Sequence, residues 1–128
     1  MKSKILSVCV FLCCVGAEAN EKESGIGYGS VSVAIQDLKA NPNAQISLNA
    51  GWTIATLTED GNYVMWSFTP EEHDAHPAAV KRKIIEKDGA IHIQMNALCQ
   101  STKKECDTLI DEFKKLNDKI RQSMQKNS

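Results

Sequence analysis

The chain has 128 residues, with 15 basic and 16 acidic side chains and three histidines, for a net charge of −1. A balance so near neutral, with no long basic cluster, gives no sign of a nucleic-acid partner, which would want a clustered positive surface. The length and an apolar share of 42% fit a single domain with a modest core.

Met1 to Ala19 reads as a cleaved secretory signal. Lys2 and Lys4 form the basic start, Ile5 to Gly16 the apolar run, and Ala17-Glu18-Ala19 places small residues where a signal peptidase reads them. The run is too short to span a bilayer. Lipidation needs small residues directly before an acceptor cysteine, whereas Leu12 precedes Cys13 and Cys13 precedes Cys14. The mature product is therefore expected to begin at Asn20 and to be periplasmic or secreted, with no stable membrane insertion after cleavage. Removing nineteen of the 128 residues leaves 109, and losing Lys2, Lys4 and Glu18 moves the charge from −1 to −2. Three of the five cysteines leave as well. Cys99 and Cys106 remain, and a disulfide between them is the expected state in an oxidising compartment.

Residues 20–29 are polar and glycine-rich and read as a flexible leader. Gly25, Gly27 and Gly29 stand before a helix as in a phosphate loop, but no strand precedes them and no Gly-Lys-Ser/Thr follows. Ser30 is placed to cap a first helix whose Val31, Ala34, Ile35 and Leu38 share one face, and Asn41-Pro42-Asn43 ends it.

From Gln45 the period changes to two. Ile46 and Leu48 predict a brief strand, Ala50-Gly51 a turn, and Trp52 to Thr58 with Tyr63 to Thr69 a hairpin closed at Asp60-Gly61. This register sets Thr58 opposite Tyr63, Leu57 opposite Val64 and Ala55 opposite Trp66. One hairpin face holds Ala55, Leu57, Val64, Trp66 and Phe68, and the other holds Trp52, Ile54, Thr56, Tyr63 and Met65. Thr69-Pro70-Glu71-Glu72 has the form of a helix start, with Thr69 and Glu72 as a capping box, for one or two turns before Pro77.

Val80 to Glu86 and Ala90 to Asn96 predict a second hairpin around Lys87-Asp88-Gly89. A two-residue turn aligns Ile84 with Ile93, and a three-residue turn with a bulge aligns Ile85 with Ile91. The first is preferred, because it gathers Val80, Ile84, Ile91, Ile93 and Met95 on one face and turns Lys81, Lys83, His92 and Gln94 to the other. Within Lys81-Arg82-Lys83 the two lysines thus sit together with Arg82 behind them. They read as solubilising charge that protects an edge strand, with an anion or acidic-partner contact as the alternative.

The stretch from Cys99 to Met124 predicts a long helix with Cys106, Leu109, Ile110, Phe113, Leu116, Ile120 and Met124 in one stripe. Thr102 and Glu105 form its capping box, and Gln122 to Ser128 is expected to fray. The domain is placed at 30–124, with 125–128 as a disordered tail. The fold class is α+β: a single antiparallel sheet of four or five strands with an N-terminal helix and a long C-terminal helix packed on it. Both helices are expected on one side of the sheet.

Catalysis finds little support in the pattern. Ser67 and His73 form the nearest serine-histidine pair but lack a nucleophile elbow, and the adjacent Glu71 and Glu72 do not face each other, so no enzyme and no cofactor are expected. His73 and His76, beside Glu72 and Asp74, offer a partial transition-metal set that needs a third ligand, with His92 available only if the loop folds back over its strand. If both helices cover the Leu57 and Trp66 face, then Trp52, Ile54, Tyr63 and Met65 form an exposed apolar band suited to protein recognition. The functional expectation is a small, exported, non-catalytic binding domain, such as an inhibitor, immunity protein or assembly factor. Its partner would be another protein of the cell envelope or exterior. The alternative is a metal-binding protein using His73 and His76.

Overall fold

Three tight turns set the sheet. Asp60-Gly61, Asp88-Gly89 and Ala50-Gly51 each place two successive residues at positive φ, the backbone that matches the twist of a two-residue hairpin. The computed structural model describes residues 25–126. The signal expected at 1–19 lies outside the described residues, as do 20–24 and 127–128.

Five strands follow one another in space as in sequence: β1 (Gln45–Asn49), β2 (Trp52–Glu59), β3 (Asn62–Phe68), β4 (Ala78–Lys87) and β5 (Ala90–Cys99). All neighbours are antiparallel. The first hairpin pairs Thr58 with Tyr63, Leu57 with Val64 and Ala55 with Trp66, as the pattern predicts. The second takes the two-residue turn, with Ile84 opposite Ile93. Helix α1 (Val31–Ala40) begins where Ser30 Oγ accepts from Val33 N and ends where Asn41 N donates to Leu38 O. Helix α2 (Lys103–Lys126) begins where Thr102 Oγ1 accepts from Glu105 N, and it runs past the expected end at Met124.

The helices do not share a side. Val31, Ala34 and Leu38 of α1 pack with Ala55, Val64, Trp66, Phe68 and Ala79. Leu109 and Phe113 of α2 pack with Ala75, Ala78 and Val80, against Trp52, Met95 and Ala97. The expectation of two helices on one face is thus corrected to three layers, helix on sheet on helix. The reason lies in the β3–β4 register, which opposes Trp66 to Lys81 and Ser67 to Val80. The apolar side of the second hairpin therefore continues the Trp52 and Met65 side of the first. Lys81 and Lys83 lie on the α1 side, where both reach Glu59, at 3.2 and 3.6 Å.

Two further readings change. Residues 25–29, read as leader, pack on the sheet: Ile26 is 3% exposed and Tyr28 meets Trp66 edge to face. The segment 69–77 is not a helix but a pair of turns, closed by His73 N to Pro70 O and His76 N to His73 O. Thr69 Oγ1 does not cap Glu72; it accepts from Ala78 N at 3.0 Å and lies 2.9 Å from His76 Nδ1, bridging the two ends of the loop.

Cys99 ends β5 and Cys106 lies in the first turn of α2, and the two form a disulfide. The intervening turn is tied on both sides. Gln100 N donates to Pro77 O, Gln100 Oε1 accepts from Val31 N at the start of α1, and Ser101 Oγ donates to Asp74 O.

Candidate functional site

The face that carries Trp52, Ile54 and Met65 is only partly roofed. Helix α2 lies along β5, and its Leu109 and Phe113 reach Ala78 and Val80 of β4, so its covered half of the sheet is the later one. Over β1 to β3 the roof stops, leaving a groove of about 500 Å³. Trp52, Ile54, Met65 and Ser67 form its sheet wall, Phe113, Leu116 and Glu112 its helix wall, and Ser47 and Asn49 its far rim on β1. Strand β1 pairs on one side alone, with β2, and every one of its residues is exposed.

Three of the four residues expected to form a binding band are thus together in one concavity, half-buried rather than fully exposed. Trp52 is fixed by two edge-to-face contacts, one with Phe113 at 5.8 Å and one with His73 at 5.3 Å. Tyr63 stands apart. It is 45% exposed and borders a separate, more polar depression with Asn43, Gln45 and Thr58.

The residue that pattern reading passed over is Arg82. Alternation places it between Val80 and Ile84 on the apolar side, so the signal was present in the strand period itself. It is 7% exposed and lies at the inner end of the groove. Its Nη1 donates to Asn117 Oδ1 at 3.3 Å, its Nη2 to Met65 Sδ at 3.1 Å, and its guanidinium carbon sits 5.0 Å from the centre of the Phe113 ring. Nε has no partner. Among the described residues Arg82 joins no ion pair, in contrast to Lys81 and Lys83. Burial pushes its pKa below the usual guanidinium value, an effect that nearby Tyr63 partly opposes. The side chain still carries its charge, because arginine does not deprotonate in proteins.

The other candidates are dispersed. His73 Nδ1 accepts from Ala75 N, and His76 Nδ1 is engaged by Thr69, so both rings hold the loop in shape. His92 opposes Ile85 on the other side of the sheet. Among the described residues no three His, Cys, Asp or Glu side chains gather as a metal would need. Ser67 is buried in the groove wall, and no hydrogen bond joins it to His73. Glu71 and Glu72 are exposed on the loop. Among the described residues no helix is long and apolar enough to cross a membrane. No protein-family model matches the chain, and neither proteins of curated function nor solved structures give a significant match.

Proposed function

We propose that this chain is a small exported protein-binding domain, periplasmic or secreted and without catalysis, that receives another protein of the envelope or exterior in the groove between α2 and the β1–β3 half of the sheet. The observation that carries the reading is the incomplete roof. A long helix shelters one half of an apolar face, and Trp52, Ile54, Met65, Phe113 and Leu116 line what it leaves open. Concave apolar surface with aromatic and methionine side chains and a polar rim is the composition of recognition sites. The reading covers an inhibitor, an immunity protein or an assembly factor alike.

Affinity capture on the immobilised protein tests it. A partner retained by the wild type is expected to be lost with Leu116→Asp, which puts a charge on the helix wall, and kept with Lys87→Ala at the distant tip of the second hairpin. Equal retention by both variants would count against the groove as the docking site.

A further inference from the structure

The groove has an unmatched charge at its inner end. An arginine that is 7% exposed, with no ion-pair partner among the described residues and an orphan Nε, costs stability where the fold alone is considered. Its present partners are weak or incomplete: one amide oxygen, a thioether sulfur and the face of Phe113. Arginine presents donors in a planar fork that a carboxylate fills side-on; here Nε is closed off from solvent, and Met65 Sδ, which now holds Nη2, is the group that a carboxylate would displace. The nearest acid on the groove wall, Glu112, is exposed on α2 and makes no ion pair with Arg82.

Resting on the docking reading above, we propose that the groove recognises a peptide segment of its protein partner in which a carboxylate, from Asp, Glu or the chain terminus, lies beside a large apolar side chain. The carboxylate enters toward Arg82, and the apolar group lies against Trp52, Ile54 and Leu116. Charge complementarity selects this occupant: an uncharged apolar segment would leave the guanidinium buried deeper and still unpaired, and a basic one would be repelled. Ser47 and Asn49 on the exposed β1 rim supply polar contacts for the peptide backbone, and Glu112 disfavours a second acid near the mouth.

The test is a selection of phage-displayed random heptapeptides on the purified protein, followed by titration of the synthesised winners through the emission of its two tryptophans, of which Trp52 lines the groove. Enriched peptides are expected to pair an acid with Leu, Ile, Met or Phe. Replacing that acid by its amide should weaken binding roughly tenfold to a hundredfold, and Arg82→Met should do the same. The melting temperature of Arg82→Met should be equal to or above that of the wild type, since an apolar chain of similar length removes an unpaired buried charge. If Arg82→Met fails to fold, Arg82→Lys keeps the charge without the fork and is expected to lose the preference for acid over amide.

Peptides that bind without an acid and are untouched at Arg82 would overturn the anchor, while their loss on Leu116→Asp would leave the docking reading standing. A lowered melting temperature in Arg82→Met with unchanged binding would make Arg82 a structural residue. Failure to select any peptide sensitive to Leu116→Asp would remove both readings. Arg82-dependent binding of laurate in place of any peptide would reassign the groove to a free fatty acid.

Discussion

Arg82 and Tyr28 show how differently one fold treats two polar side chains set among apolar neighbours. Tyr28 is matched: its ring meets Trp66 and its hydroxyl donates to Asp37 Oδ2. Burial first, then that hydrogen bond and the charges of Asp37 and Glu59, push its phenol up from the ordinary value near 10 to about 12. The folded state therefore holds this proton more tightly than the unfolded one. The resulting stabilisation is complete below pH 10 and is lost as pH rises from about 10 through about 12. The chain has two tyrosines, so Tyr63→Phe isolates Tyr28. Its absorbance titration is expected to centre near pH 12, and its denaturation midpoint should fall across that window more than that of Tyr28→Phe. Among the described residues Arg82 has no such match, which is why it, rather than any histidine or serine, carries the proposed site.

Among the elements, the connection from β5 to α2 does the most to place the groove, because it decides over which strands the long helix lies. Cys99 and Cys106 close a ring seven residues apart in sequence. By the chain-entropy relation such a ring contributes about 2 to 3 kcal/mol. Replacing both cysteines by alanine is expected to lower the unfolding free energy in urea by that amount, and reductant added to the wild type should match it. The turn keeps its hydrogen bonds to Pro77, Val31 and Asp74, so α2 should stay on the same face. Far-ultraviolet circular dichroism of the double variant at low denaturant is expected to show its helix content nearly intact. The loop 69–77 carries the pattern of a helix start without forming one, for a local reason. Thr69 is equally suited to cap a helix or to bridge a loop, and the bond from Ala78 N brings the loop's far end to it.

At the scale of the molecule, two cores sit on opposite faces of one sheet, and the second leaves a groove open beside α2. Leu109 belongs to the second core at 1% exposure, whereas Leu116, two turns further along α2, is 42% exposed at the groove. Leu109→Ala is expected to cost about 2 to 5 kcal/mol in denaturant unfolding, and Leu116→Ala less than about 1 kcal/mol. That difference separates the residues that hold α2 down from those left at the open groove. Much of this architecture was legible along the chain. The turn pairs Asp60-Gly61 and Asp88-Gly89, the alternation of both hairpins, the Ser30 and Thr102 caps and the cysteine pair specify strands, registers, helix starts and the disulfide, because each depends on neighbours a few residues away. What only the tertiary structure decided is the side on which each helix lies and hence what stays open. That follows from the β3–β4 register across the 69–77 loop, which turns Lys81 toward α1 and Arg82 toward α2. Such a register depends on how two hairpins meet in space, and no periodicity within either one contains it.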